Sequence, residues 1–359
     1  MKLGSDVLCA IDESAAVEAL HAAGCTDGLP VIVPTPERIE RMVLATGFDA
    51  DILLGEIGPG FGAATIEKVA IAAVMAGCLP DHVPVVVAAI AAMLKPEFDL
   101  AEVQSTTHAI SPLVIVNGPA RGFSDVASGF GALGPGHRAN MTIGRAIRLA
   151  MMNIGGARPG VSDMALLGHP GKLSMVLAED EEHSPFPPLH VSLGFAPDDA
   201  MVTVVGTEGP HSVIFVGDAD DPTSPRRLLR SLGAVVGNLG SNNAHFHRGT
   251  VVVALNPEHA GILASAGLSR PDIQDGIFEE SHHRRSALRL LNPGFTGSGS
   301  DDDLLPSVRA PKDILVLMAG GGGLYSTVFP SWGAGGHGNP FVTERVEIGQ
   351  ACEIPARLR

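Results

Sequence analysis

Short apolar runs that end at glycine, asparagine or proline recur along this chain and constrain its fold most strongly. The run PLVIVNGP (Pro112–Pro119) is apolar up to Val116 and then stops at Asn-Gly-Pro, which is typical of a buried strand in a parallel sheet. In the second half, the runs MVTVVG, TVVVALN and DILVLMAGGGG alternate with helical segments. This strand–helix order predicts an α/β fold with right-handed crossovers.

The length of 359 residues favours two structural units over one ordinary core. Proline and acidic residues concentrate between Pro185 and Asp199, so we predict an α/β domain over residues 1–190, which carries the main site, and a second over residues 191–359. We expect mainly parallel sheets with glycine-rich loops at the carboxyl ends of their strands. Because ligands collect at those ends, the loops NGPARGF, NPEHA and AGGGGLYS are candidate site loops.

Composition excludes two classes of partner. The formal net charge of −15 opposes binding to nucleic acids and to anionic membrane surfaces. The apolar stretch Val69–Leu94 is interrupted by LPDHVP, and each remaining run is too short to cross a bilayer.

Met1–Gly24 has no basic segment followed by an apolar core, so no signal peptide is expected. Four widely spaced cysteines without a CxxC motif favour reduced thiols and a cytoplasmic location.

An adjacent acid and base, Glu67 and Lys68, open the segment TIEKVAIAAVMAGC, which is otherwise almost entirely apolar. Charged side chains are rarely buried without partners, and neighbours on a helix point in different directions, so each needs its own partner or a polar cavity. A glycine-rich passage precedes them and leaves room for a ligand. We therefore predict that Glu67, Lys68 and His108 border one pocket together with residues of the Gly134–Asn140 loop, and that they perform acid–base or covalent chemistry. The alternative is a solvent-facing first turn in which Glu67 interacts favourably with the helix dipole.

The segment GPGHRANMTIGRAIR (Gly134–Arg148) is the strongest local candidate for anion binding. Glycines precede His137 and Arg138, and a helix is predicted to begin near Asn140. Free amides at a helix N-terminus and an arginine fork both favour a carboxylate or phosphate ligand. A capped helix whose arginines meet acidic groups elsewhere is the equally weighted alternative.

Two further patterns carry less information. Gly320 and Gly321 follow the last predicted strand, but no GK[ST] follows them and no GxGxxG opens a helix, so the cofactor is unknown. His245 and His247 stand at i and i+2 without a third ligand at a recognised spacing, so no metal site is predicted. A metallohydrolase that uses this pair remains an alternative.

Five segments together resemble a bacterial family of largely uncharacterised proteins. They are DGLPV…PT (Asp27–Thr35), EK-A--AVMAGC (Glu67–Cys78), TTH---PLVIVNGP (Thr106–Pro119), GP--RAN-TIGRA-RL---N-GG (Gly134–Gly156) and GK-S---AE-EE-SP (Gly171–Pro185). Members are often found beside, or fused to, UGSC-motif proteins, which are similar to a redox-active component of glycine-type reductases. This chain has no UGSC stretch of its own, so the resemblance implies at most a redox or bond-cleaving pathway and a redox partner protein.

The family motifs also mark individual residues of this chain as site candidates. By the resemblance, these are Glu67, Lys68, Cys78, Thr107, His108, Asn117, Arg138, Asn140, Asn153, Lys172 and Glu179. We assign Cys78 to the catalytic group with Glu67, Lys68 and His108, and the others to substrate binding, together with His137 and the Gly320–Gly321 loop.

The sequence leads to one preferred hypothesis and two alternatives. The preferred one is a cytoplasmic, homo-oligomeric enzyme of lyase, hydratase or hydrolase type that acts on a small anionic metabolite. The first alternative is an accessory subunit of a redox or reductive-cleavage system, in which Cys78 and the glycine loops form a docking surface. The second alternative is the metallohydrolase.

Overall fold

The computed structural model describes residues 4–218 and 220–347, so the predicted free thiol of Cys352 lies outside the described part. The helices are α1 (Glu13–Ala22), α2 (Pro36–Thr46), α3 (Ile66–Ala76), α4 (Val83–Met93), α5 (Leu100–Ser105), α6 (Ala120–Phe123), α7 (Arg138–Asn153), α8 (Leu189–Ser192), α9 (Ser224–Val236), α10 (Asn242–Phe246), α11 (Pro257–Ser265), α12 (Arg270–Glu280) and α13 (Arg285–Leu291). The strands are β1 (Leu53–Ile57), β2 (Gly62–Thr65), β3 (Ser111–Asn117), β4 (Val176–Ala178), β5 (Met201–Thr207), β6 (His211–Ile214), β7 (Val251–Leu255), β8 (His283–Arg284), β9 (Leu304–Leu305), β10 (Ile314–Met318), β11 (Tyr325–Phe329) and β12 (Val342–Arg345).

Two four-stranded sheets share one arrangement. In the first sheet the order is β12-β5-β3-β4, where β3 and β4 are parallel and β5 runs antiparallel to both of its neighbours. In the second sheet the order is β6-β11-β7-β10, where β7 and β10 are parallel and β11 runs antiparallel to both of its neighbours. Two short antiparallel pairs, β1-β2 and β8-β9, lie outside these sheets.

The predicted α/β class is confirmed, but the sheets are mixed rather than mainly parallel. The helical crossovers β3–α7–β4 and β7–α11–α12–β10 do join parallel neighbours, as the strand–helix pattern predicts. Strand β11 was not predicted, and it accounts for the antiparallel pairs of the second sheet. The remaining error concerns β5, which is buried along its whole length. A strand that is buried on both faces reads as one continuous apolar run whichever way it points, so the sequence does not reveal its direction.

Alternate residues of the central strands face different cores. In β3, Leu113 and Ile115 pack against the second sheet, in a core that also contains residues of β7 and β10. Val114 and Val116 face the opposite way and join the core formed with α3, α4 and α7. The outer face of the second sheet packs in the same way against α9, α11 and α12. The molecule is therefore built in four layers, in the order helix, sheet, sheet, helix.

The two sheets exchange their edge strands. The strand that follows β5 in the chain is β6, and β6 pairs with β11 of the second sheet. The strand that follows β11 is β12, and β12 pairs with β5 of the first sheet. Both β5 and β12 lie beyond residue 190, so the first sheet takes two of its four strands from the predicted C-terminal domain. The predicted boundary at 190/191 does not separate the sheets.

Local capping signals set the first helices. Thr35 and Thr65 cap α2 and α3 through their side-chain oxygens, and both helices end at glycines in the left-handed conformation. In α2, a threonine cap followed by Pro36 and a terminal Gly47 predict a helix from the sequence alone, and the structure confirms it. The preceding short apolar run LPVIVP (29–34) predicts a strand, yet it is irregular backbone whose Ile32 amide donates to the Met75 carbonyl of α3.

Helix α7 approaches the segment before β4 closely enough to require glycine. A Cβ atom added at Gly144 would lie 2.1 Å from the Ser174 hydroxyl oxygen and 2.8 Å from the Ser174 Cα. Ser174 also donates a hydrogen bond to the Asn140 carbonyl at 2.6 Å. This tight packing fixes the position of α7 against the chain that precedes β4. Helix α7 and residues 157–173 of that chain form a pocket.

Candidate functional site

A cavity of about 580 Å³ lies between the last turns of α7 and the loop 157–173. We call it the Arg148 pocket. Its polar lining consists of Asp27, Arg148, Asp163, His169 and Lys172, and its remaining walls are mostly apolar. The volume falls within the range of about 300–1,000 Å³ that is typical of small-molecule sites.

The Arg148 pocket lies at the amino end of β3, not at the carboxyl ends to which the sequence pointed. Gly171, next to Lys172, accepts a hydrogen bond from Ser111 at the start of β3, at 3.1 Å. The Thr107 carbonyl, just before β3, accepts the Leu166 amide at 3.0 Å. The loop that carries the polar lining is therefore attached to the segment that leads into the sheet.

Arg148 is a buried cation with weak pairing. Its guanidinium Nε donates to the Lys172 carbonyl at 2.6 Å, and its Nη1 donates to Gln104 Oε1 at 3.3 Å. Its ion pair with Asp163 is long, at 3.9 Å between Nη1 and Oδ2. Burial lowers the pKa of Arg148 to about 10, and Asp163 opposes this only in part. A guanidinium that is removed from water and has no close carboxylate is prepared to bind an anionic ligand.

Lys172 shares Asp163 with Arg148 and is the more closely paired of the two. Its Nζ lies 2.9 Å from Oδ1 and 2.8 Å from Oδ2 of Asp163. Burial lowers the pKa of Lys172, the Asp163 carboxylate opposes that shift, and the Arg148 charge adds to it. A lysine with a lowered pKa gives up its proton more readily than a solvated one, so it can exchange protons with a bound ligand.

His169 adds an imidazole to the same pocket. Burial and then the charges of Lys172 and Arg148 lower its pKa, so its ring is held neutral. Its Nε2 atom is buried and has no hydrogen-bond partner among the described residues. A neutral imidazole nitrogen without a partner can accept a proton from a ligand. The segment carrying Glu208 runs past this ring, since a Cβ at Gly209 would lie 3.6 Å from His169 Nδ1.

Of the residues predicted from the sequence, Lys172 lines the Arg148 pocket, and His108 and Thr107 lie near it. His108 Nε2 is 3.0 Å from Glu208 Oε1, and both side chains are about one-quarter exposed. Glu208 in turn contributes to the electrostatic field at His169. His108 therefore interacts with the rim of the pocket and not with Glu67 or Lys68.

Glu67 and Lys68 do not line the Arg148 pocket, and each has contacts of its own. The buried Glu67 carboxylate accepts the amide of Gly4 at 2.8 Å through Oε2 and that of Ser5 at 2.9 Å through Oε1. The Lys68 ammonium donates to the Ala63 carbonyl in β2 at 3.0 Å. The adjacent acid and base thus have separate partners: one fastens the N-terminal segment and the other closes the first turn of α3 onto β2.

Arg138 lies at the other end of α3 from Lys68. Its Nε and Nη2 donate to the carbonyl of Gly77, which ends that helix, at 3.1 and 2.9 Å. An eleven-residue helix separates the two side chains by roughly 15 Å of helical rise, so the predicted single pocket around both is not formed. His137 lies 3.0 Å through Nε2 from the Phe130 carbonyl.

Three more predicted site residues make contacts that hold the fold together. The buried Asn140 accepts the Ala127 amide and donates to three carbonyls, those of Ala127, Ala132 and Val176. Asn153 donates to the Cys25 carbonyl at 2.8 Å. Cys78 is buried, donates to the Thr142 carbonyl at 3.3 Å, and has its pKa raised by burial to about 12. A thiol in that state is a poor nucleophile, which argues against the catalytic role predicted for Cys78.

Asn117 and Glu179 meet at the carboxyl ends of β3 and β4, in a buried polar cluster. The Asn117 amide donates to Glu179 at 2.6 Å and to Glu181 at 2.9 Å. Arg270, at the start of α12, donates to Glu179 at 3.1 Å and so joins the two halves of the chain. Burial raises the pKa of Glu179 to about 7 against the opposing charge of Arg270. Glu179 is fully enclosed, so a ligand has no direct access to its carboxylate.

The Gly320–Gly321 loop follows β10 as predicted and packs against the loop between α6 and α7. The Gly320 amide donates to the Ser128 carbonyl at 2.7 Å. A Cβ at Gly321 would lie 2.0 Å from the ring of Phe130. The glycines therefore permit close contact between two loops.

The histidine pair of the metallohydrolase alternative is not extended. His245 lies in α10, and His247 follows that helix in the left-handed conformation. His245 Nε2 is 3.1 Å from Asn292, and His247 donates through Nδ1 to the Pro306 carbonyl at 2.8 Å. Across residues 4–218 and 220–347, no three His, Cys, Asp or Glu side chains are grouped so that they could hold a metal ion.

Four lining residues were not selected from the sequence, namely Asp27, Arg148, Asp163 and His169. Arg148 was noted with Arg145 in the Gly134–Arg148 segment as able to hold a carboxylate or phosphate, but it was not selected as a site residue. The other three lie in irregular loops, where a single charged or imidazole side chain looks like any solvated residue. A usable signal was present in GHPGK, where a histidine and a lysine share a loop rich in glycine and proline.

Comparison with known proteins adds no assignment to this geometry. No protein-family model matches the chain, and no curated protein matches it. The family resemblance described above rests on its sequence motifs alone. In the described residues, no helix has both the length and the hydrophobicity that a membrane crossing requires.

Proposed function

We propose that this protein is an enzyme that binds a small anionic metabolite in the Arg148 pocket and transfers protons to and from it. One observation carries the proposal: Arg148 is buried beside an open cavity, and its nearest ion-pair partner is 3.9 Å away. Removing a cation from water costs free energy unless an anion compensates. A bound carboxylate supplies that compensation in the bidentate geometry that arginine prefers.

The proposed chemistry follows from the two titratable groups beside Arg148. The His169 imidazole removes a proton from the carbon next to the bound carboxylate, and the electron pair of that C–H bond forms a carbon–carbon double bond. The bond to a leaving oxygen on the next carbon breaks, and that oxygen takes a proton from the Lys172 ammonium, so water departs. The reverse sequence is a hydration. The lowered pKa values of Lys172 and His169 support this division of roles.

The test compares the effect on turnover of replacing a lysine that lines the pocket with the effect of replacing one that does not. Protein is incubated with a panel of hydroxy and unsaturated carboxylates, and mass change is followed by mass spectrometry. We expect turnover to fall by about 10²–10⁴-fold in Lys172→Met and in His169→Gln, because each removes a proton-transfer group. Lys68→Met is the matched control, since Lys68 bonds to Ala63 outside the pocket, and it should keep the wild-type rate. A Lys172→Met protein that folds and turns over normally would remove the proposed mechanism.

The accessory-subunit alternative loses its main support. It depended on Cys78 at a docking surface, and that thiol is buried and hydrogen-bonded to Thr142. Cys9, Cys25 and Cys78 are free thiols, which supports the proposed cytoplasmic location. Self-association remains part of the proposal, and light scattering of the purified protein at several concentrations tests it.

A further inference from the structure

We infer that the ligand of the Arg148 pocket is a monocarboxylate with an apolar body, and not a dicarboxylate or a phosphate. This inference rests on the proposed function, because it names the substrate class of the same site. It follows from the charge balance of the pocket, from a second unsatisfied donor beside Arg148, and from the chemistry of the walls.

Among the close ion pairs in and beside the pocket, Arg148 is the cation that has no close carboxylate among the described residues. Arg145 forms a close pair with Asp27, with 2.7 Å between Nε and Oδ2. Lys172 forms a close pair with Asp163, at 2.8 Å. Arg148 is the remaining cation, and the neutral ring of His169 adds no charge. One bound carboxylate gives Arg148 a close anionic partner, whereas the second charge of a dianion finds no further unpaired cation among these groups.

The rim of the pocket opposes a second negative charge. Glu208 follows β5 and lies near His169, and its Oε1 atom is 3.0 Å from the imidazole Nε2 of His108. A phosphate dianion or the far carboxylate of a dicarboxylic acid would bring a further negative charge towards the Glu208 carboxylate, and like charges repel each other.

A buried amide beside Arg148 indicates where the carboxylate binds. Gln104 is 2 % exposed and accepts a hydrogen bond from Arg148 through its Oε1 atom. Its Nε2 atom is buried and has no acceptor in the part of the chain that the structure describes. An unpaired buried donor costs free energy, and an acceptor that reaches Arg148 also lies close to this amide. The carboxylate of the proposed ligand therefore binds at Arg148, next to Lys172 and Asp163.

The rest of the lining is apolar and favours a hydrocarbon body. The side chains concerned are those of Met152, Ala157, Pro159, Leu167, Pro170 and Leu173. The cavity volume of about 580 Å³ greatly exceeds the size of a two-carbon acid. Each methylene that leaves water for such a wall strengthens binding by about fourfold.

Binding of four simple anions separates these ligand classes. Acetate, hexanoate, adipate and inorganic phosphate are titrated by calorimetry into the full-length protein at pH 7.5. We expect hexanoate to bind at least tenfold more tightly than acetate, because its additional methylenes contact the apolar walls. We expect adipate, which has the same number of carbons, and phosphate to bind at least tenfold more weakly than hexanoate.

Two variants locate the binding. Arg148→Met should remove hexanoate binding. Leu167→Ser should reduce the preference for hexanoate over acetate without endangering the fold, because Leu167 is 95 % exposed at the mouth of the pocket. Adipate or phosphate binding as tightly as hexanoate would overturn the substrate class while leaving an anion site in place. Failure of all four anions to bind, or unchanged binding in Arg148→Met, would overturn the proposed function itself.

Discussion

Replacing Glu67 by glutamine tests whether this buried acid fastens the N-terminal segment or takes part in chemistry. Its two carboxylate oxygens accept two different backbone amides, those of Gly4 and Ser5, at 2.8 and 2.9 Å. Glutamine has one acceptor oxygen, and its NH₂ group would face the second amide as a donor against a donor. The substitution preserves side-chain size, so packing in α3 is unaffected.

The magnitude follows from the hydrogen bonds that are lost. A hydrogen bond to a charged group contributes roughly 1.5–3 kcal/mol, so losing one and placing two donors together costs ~2 kcal/mol. Opening of the segment should then become about 30-fold more frequent, since 1.4 kcal/mol corresponds to a factor of ten. Hydrogen exchange at the amides of residues 4 and 5 measures this directly. Glu56→Gln is the matched control, because Glu56 is exposed on β1, next to β2.

The same contact has a predictable dependence on pH. Burial acts to raise the pKa of Glu67, but the amides of Gly4 and Ser5 and the Ser5 hydroxyl outweigh it, so the pKa is lowered. A lowered carboxyl pKa stabilises the folded contact above the unfolded value of roughly 4.3, and this contribution is lost as pH falls through the folded pKa. The N-terminal segment should therefore be released in acid. Equal exchange rates in Glu67→Gln and the wild type at neutral pH would refute the anchoring role.

Three further outcomes are expected. Iodoacetamide at pH 8 should label the exposed Cys9 and leave Cys78 unmodified, because burial raises the pKa of Cys78 to about 12. Peptide mapping measures the labelling, and equal rates at both cysteines would contradict the buried position of Cys78. The fall of kcat/KM on the acid side should have its midpoint below pH 6.5, because the pKa of His169 is lowered. A midpoint above pH 7 would exclude His169 as the base. Gly144→Ala should destabilise the protein by about 1–3 kcal/mol in urea, since the added methyl would lie 2.1 Å from Ser174, and an unchanged midpoint would show that the segment before β4 can move aside.

Sequence patterns identified the elements better than they identified their neighbours. The Thr35 cap, Pro36 and Gly47 predicted α2, because capping depends on residues that are adjacent in the chain. The apolar run of β5 was recognised as a strand, but its antiparallel direction depends on β3 and β12, which lie about 90 and 140 residues away. Short-range patterns contain no information on that pairing.

The functional residues were harder to predict for the same reason. Glu67 looked unusual because its partners, the backbone amides of Gly4 and Ser5, leave no mark in the sequence. The Arg148 pocket combines residues 27, 148 and 163–173, and three of its polar side chains come from irregular loops. Lys172 was selected from the motif GK-S---AE-EE-SP, and it is also one of only five lysines in the chain, so composition supports a site residue here that local periodicity does not reveal.

The exchange of edge strands has a consequence for how this chain folds as it is synthesised. The first sheet needs β12, which ends at Arg345, and the second needs β6, which is made before any of its other strands. A nascent chain that leaves the ribosome with β3, β4 and β5 complete still has one open edge on β5 until β12, more than 130 residues later, has been translated. Such an edge can pair with other chains, so this intermediate is prone to aggregate during synthesis unless a chaperone covers the edge.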